Sequence, residues 1–160
     1  MQLDVMRSMV FEDLKVGDQA TMEHTVTQRD IDLFAHASGD FNPAHMDPEY
    51  AEKSMFKGVI AHGMFTAGLI SALLGTKFPG PGTIYIGQTL KFTAPVRLGD
   101  TVTVTLTVKS RNEEKKWVTL DCKCVNQKGK SVVSGEAEVM PPTQHIEWTP
   151  HGIPEVTVNR

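Results

Sequence analysis

The sequence predicts an α+β fold, in which a wide antiparallel β-sheet wraps around one long central α-helix. Two observations carry that reading. From Gly58 to Thr76 no Asp, Glu, Lys or Arg occurs, and the second half of the run is apolar on most sides, with Met64, Phe65, Leu69, Ile70, Leu73 and Leu74. A helix without a polar face is a buried one. Beyond it nearly everything reads as strand, and a wide sheet is what can cover such a helix.

Taken in order, "FEDLKVGDQA" is a lead-in with a turn at Gly17-Asp18, and "ATMEHTVTQ" alternates weakly as a first strand. Thr27 and Asp30 form a T-x-x-D start signal, with Ile31, Phe34 and Ala35 following at helical spacing. That helix should stop near Ser38-Gly39. Asp47-Pro48 is a second start, a cap followed by proline at the first helical position, and opens "PEYAEKSM". "PGPG" at 79–82 ends the long helix. "TIYIGQTLKFTAPV", "DTVTVTLTVKSR", "KWVTLDCKCVNQ" and "SVVSGEAEVM" are four strands of an antiparallel meander, joined by turns at "RLGD", "RNEEKK" and "NQKGK". In the second, Val102, Val104, Leu106 and Val108 share one face and threonines take the other. The sequence reads as one domain over 1–160, with its core at about 12–140 and an extended, peripheral tail at 141–160 that holds four prolines.

Composition is that of a globular protein, 40% hydrophobic and 22% charged. A formal net charge of −3 gives no reason to expect nucleic acid or an anionic membrane as partner. Lys109, Arg111, Lys115 and Lys116 could attract phosphate, or simply solvate a turn. Cys122 and Cys124 point to the same strand face, too far apart for an unstrained disulfide. Free core thiols suit a reducing compartment. The first residues, "MQLDVMRSMVFEDL", lack the apolar block of a signal peptide. The apolar stretch near 59–75 is too short to span a bilayer comfortably. A cytoplasmic protein is expected.

The chemistry lies in "SGDFNPAHMD", residues 38–47. Asp40 and His45 would diverge on a continuous helix, but Gly39, Asn42 and Pro43 forbid one, and an Asn-Pro turn can fold the two together. A carboxylate and an imidazole within reach of one water can serve as general base and general acid. Equally, Asp40 suits an Asx turn and His45 a satisfied core position. His62-Gly63 stands at the start of the long helix, where unpaired N–H groups and the helix dipole could stabilise an oxyanion, or where glycine merely eases a tight turn. Acid, base and oxyanion donor together describe proton transfer next to a carbonyl. A metal held by His36, Asp40, His45 and His62 is chemically conceivable, but the spacings match no familiar zinc pattern, and none is expected.

"SGDFNPAHMDPEYA" resembles the G-D-x-N-P-x-H motif of the MaoC-like (R)-specific enoyl-CoA hydratases. "IAHGMFTAGLIS" and "GTIYIGQTLKFTAPVRLGD" resemble the central helix and following strand of the short bacterial members, and the likeness covers roughly 12–140. The resemblance implies a hot-dog fold and a homodimer whose sheets join edge to edge, with acyl-CoA thioester sites near the interface. It implies Asp40 and His45 as the catalytic pair, Asn42 fixing that pair, and the Gly63 N–H polarising the thioester oxygen. His62 belongs to the same oxyanion and substrate-binding group, and Ser71 matches a serine lining the site. It implies no cofactor beyond the coenzyme A of the substrate. Ala37, Ala44 and Val59 depart from the usual pattern, which bears on acyl-chain preference. Two other readings are a hot-dog acyl-CoA thioesterase, whose members lack D-x-N-P-x-H, and a non-catalytic acyl-thioester-binding subunit, which would be expected to lose Asp40 or His45.

Overall fold

The computed structural model describes residues 4–160. The signal-peptide expectation therefore falls partly on residues 1–3, outside the described residues. After β1 (Met6–Arg7) and a 3₁₀ turn at Phe11–Asp13, β2 covers Gln19–Thr25. Helix α1 (Gln28–Ser38) begins on a reciprocal cap: the Thr27 hydroxyl accepts from the Asp30 amide, and the Asp30 carboxylate accepts from the Thr27 amide. It ends at Gly39, whose φ of 80° is the left-handed conformation that glycine adopts without strain.

The predicted Asn-Pro turn is instead a one-turn helix, α2 (Pro43–Met46). Asn42 Oδ1 accepts from the Ala44 amide and Pro43 takes the first helical position, a start signal that competes successfully with a plain turn. Helix α3 (Pro48–Lys53) is capped by Asp47, which accepts from the amides of Glu49 and Tyr50. Helix α4 (Gly63–Thr76) is the long apolar one.

Strands β3 (Ile84–Gln88), β4 (Lys91–Phe92), β5 (Thr101–Asn112), β6 (Trp117–Val125) and β7 (Ser131–Met140) follow. The expected strand over 83–96 is thus broken in two. The sheet runs β2-β5-β6-β7-β3, antiparallel, with β4 also on β7. Only β5, β6 and β7 form a consecutive meander. The first strand after the helix lies at the far edge, because β2 occupies the other side of β5 in an unbroken register from Gln19↔Thr107 to Thr25↔Thr101.

Helix α4 packs against β2, β5 and β7. Ile70, Leu73 and Leu74 meet Val102, Val104, Leu106 and Val108, all buried. The helix is not enclosed all round: Gly63, Met64, Gly68, Ser71 and Gly75 form an uncharged but exposed stripe. Cys122 and Cys124 are free and buried, and burial pushes their thiols up to about 11 and about 12. Such thiols stay protonated near neutrality and make poor nucleophiles.

The tail is peripheral but more ordered than its prolines suggest. Strand β8 (Glu147–Trp148) pairs with β1, and Arg160 grips Asp32 of α1 through two hydrogen bonds of 2.7 and 2.8 Å. That guanidinium holds the Asp32 carboxyl below the ordinary aspartate range. Lys109 pairs with Glu136, while Arg111 lies over the Phe11 ring and 3.7 Å from Glu113. Their charges are locally matched. Among the described residues, no helix is long and apolar enough to cross a membrane.

Candidate active site

Asp40 follows directly on the glycine that ends α1. Its amide donates to Ser38 Oγ at 3.1 Å, and its Oδ1 accepts from the Asn42 amide at 3.2 Å. This Asx turn delivers the chain into α2, whose single turn buries His45. His45 Nδ1–H donates to the Ile60 carbonyl at 2.7 Å. In the neutral ring Nε2 therefore carries the lone pair. The Ile60 amide in turn donates to the Ala44 carbonyl at 3.3 Å, so α2 is laced to the segment that leads into α4. The Asx turn of Asp40 and the satisfied buried position of His45 are both present, yet the Asp40 carboxylate stays exposed with His45 beside it.

His62, the residue before α4, is 2% exposed. Its Nε2–H donates to the Asp40 backbone carbonyl at 2.9 Å. Its ring stacks on His45 with centroids 3.9 Å apart and 29° between planes, and Phe34 of α1 packs on it at 4.8 Å. Burial holds His62 below the ordinary histidine range, and the repulsion of a charged His45 adds to that, against the opposing hydrogen bond to Asp40. Polar atoms of Asp40, His45 and His62 lie within 4.8 Å of one another. His36 is apart from them, exposed and edge-on to Phe41. Tetrahedral zinc with nitrogen ligands would need donors about 3.4 Å apart, closer than the 4.8 Å over which these atoms spread.

These residues border a cavity of about 660 Å³, with Asp40, His45 and Gly63 on its polar side and Phe34, Phe92 and Val133 among its apolar walls. Gly63 is the first residue of α4, and His62 provides no side-chain cap there, so the first amides lack a helical partner. A Cβ on Gly63 would come 2.7 Å from two atoms of the Phe92 ring. Asn42 acts one step back, through its cap on α2. Ser71, eight residues beyond Gly63, is about 12 Å further along the helix, on the exposed stripe and not among the residues that border the cavity within one chain.

Sequence reasoning missed Phe34, Phe92 and Thr66 as cavity residues. Phe34 was legible only as a helix-face apolar residue, and Phe92 lies beyond the unforeseen break between β3 and β4. Thr66 carries a signal that burial alone reveals: its hydroxyl is enclosed without a partner among the described residues. Chemically, the constellation offers a carboxylate, an imidazole nitrogen and unpaired helix amides around an apolar slot.

Comparison with known proteins agrees with that description. The MaoC like domain family matches residues 15–127. An (R)-specific enoyl-CoA hydratase of Rhodospirillum rubrum is 54% identical over 134 residues, covering 84% of this chain and 92% of the relative. A 3-hydroxybutyryl-CoA dehydratase of Methylorubrum extorquens is 44% identical over 140 residues, 88% of each chain. Among solved structures, an R-hydratase from Pseudomonas aeruginosa in the unliganded form superposes with a TM-score of 0.92 at 41% identity, covering 98% of this chain and all of that one.

Proposed function

The chain belongs to the MaoC-like family, and from that premise we propose that it is an (R)-specific enoyl-CoA hydratase, a hydro-lyase that interconverts trans-2-enoyl-CoA and (R)-3-hydroxyacyl-CoA. The observation that carries the reading is the meeting of Asp40 and His45 at a slot headed by the N-terminus of α4.

In the hydration direction the enoyl chain lies in the apolar slot, with its thioester oxygen at the Gly63 amide. That donor stabilises the enolate-like charge developing on the oxygen as C3 is attacked. A water is held between the Asp40 carboxylate and His45 Nε2. The carboxylate takes one water proton while the oxygen adds to C3, and protonated Nε2 gives a proton to C2. Proton transfer from Asp40 to His45 resets the pair. Both groups act from one side, so addition is syn. Base, acid and oxyanion donor are all protein groups, so the reaction asks for no metal or redox cofactor. Coenzyme A enters as part of the substrate.

A homodimer is part of the reading. Edge strand β3 exposes Ile84, Tyr85 and Ile86, and an open apolar edge calls for a partner. The exposed stripe of α4 and the open mouth at Asp40 and Met64 would be covered by the same event. The two buried thiols support a reducing, cytoplasmic location. The deciding experiment is a coupled assay on crotonyl-CoA. Hydration should remove the conjugated thioester absorbance, and a dehydrogenase specific for (S)-3-hydroxyacyl-CoA should leave the product untouched. Oxidation by that dehydrogenase would overturn the stereochemical assignment, and absence of hydration would overturn the function.

A further inference from the structure

We infer that His62 is a positioning residue that sets the spacing and orientation of Asp40 and His45, and does not bind substrate. The inference rests on the hydratase reading above and assigns this histidine a task within it. Its basis is a reciprocal clasp. His45, on α2, donates to the carbonyl of Ile60 in the segment before α4. His62, at the end of that segment, donates to the carbonyl of Asp40 in the segment before α2. Each ring thus holds the other's stretch of backbone, and the two rings stack where the segments cross.

The polar atoms of His62 leave nothing for a ligand. Nε2–H is committed to Asp40, and Nδ1 is enclosed, with no partner among the described residues. A neutral ring of this tautomer suits its place, since a second positive charge stacked on a protonated His45 would be repelled. A hydrophobic side chain could fill the same volume and keep the face against His45. It could not hold the Asp40 carbonyl, so the carboxylate on the Asx turn would be free to drift from the imidazole. Misplacement of a reacting group by about 1 Å costs up to roughly 10²-fold in rate, which bounds the effect.

Three variants separate the possibilities. A glutamine amide nitrogen can reach the position of Nε2, whereas that of asparagine stops near Nδ1 and that of phenylalanine is absent. His62→Gln should therefore keep kcat within about three-fold of the parent, while His62→Phe and His62→Asn should lose about 10- to 100-fold with KM changed by less than about two-fold. Folding of each is read from its thermal midpoint. If His62→Phe fails to fold, the Gln–Asn contrast carries the test alone. Parental kcat in His62→Asn, glutamine no better than asparagine in folded protein, or KM rising as kcat falls would each overturn the positioning role. Turnover of the parent protein decides the hydratase reading separately.

Discussion

Gly63→Ala separates the proposed oxyanion site from the fold that carries it. The new methyl would stand 2.7 Å from Cδ1 and Cε1 of Phe92. Reaching ordinary contact needs a ring shift of about 0.7 Å. Phe92 is 53% exposed, so its ring can swing aside. Overpacking costs about 1–3 kcal/mol in closed cores, and a half-open site falls at the low end. Against this, alanine in place of a helical glycine with unstrained backbone gains about 0.4–1 kcal/mol from the unfolded chain. Stability should therefore change little, with a thermal midpoint within a few degrees. Activity should not be spared, because the methyl and the displaced ring both crowd the approach of a thioester oxygen to the first amides of α4. Loss of one such donor costs ~10²–10³-fold in kcat. The assay is decay of the conjugated enoyl-thioester absorbance at saturating substrate. Gly63→Ala/Phe92→Ala tests the origin of the loss, since it removes the clash but leaves the methyl beside the amide. A single variant within three-fold of the parent would refute the oxyanion role of this amide, whereas restored kcat in the double variant would assign the loss to the displaced ring and not to the methyl.

Asp40→Asn and His45→Ala should each lower kcat by ~10²-fold or more while the protein still folds, and near-parental turnover in either would sink the proposed pair. Light scattering on the pure protein should give at least twice the 17.6 kDa chain mass; a monomer with full activity would contradict pairing through β3.

What the sequence disclosed and what it hid divide by the range of the interactions. The cap of α1, the proline start of α3 and the buried face of β5 are set by residues within a few positions of one another, and all are read correctly. Strand β3 is also recognisable, but its place beside β7 depends on β2 having already claimed β5, which no local pattern records. Strands β1 and β8 are two residues each and hold no periodicity to detect. The grip of Arg160 on Asp32 spans 128 positions and is equally invisible. At the site, the turn signals of Asn42 and Pro43 foretell that Asp40 and His45 converge, though they understate the helix that does it. The two crossed donations of His45 and His62 depend on which backbone carbonyls lie nearby, so only coordinates reveal them. Ser71, matched by motif, lies on the exposed stripe of α4, outside the cavity lining of one chain.

The break between β3 and β4 places two tasks on one short stretch of chain. At Gly135 of β7 a Cβ would fall on the carbonyl of Thr89, and the Thr89 amide and hydroxyl are bonded to the backbone of Glu136. The chain is pinned there, between the exposed edge at Ile84–Ile86 and the cavity wall at Phe92–Val96. A substitution that resculpts the wall for a longer acyl chain is only a few residues from the edge, on the far side of one fixed pivot. With the homodimer proposed above formed through β3, changes in chain-length preference should arrive with changes in assembly, and libraries aimed at the pocket will be more productive when they vary Phe34 and Thr66, which line the same cavity from helices that do not share the pivot.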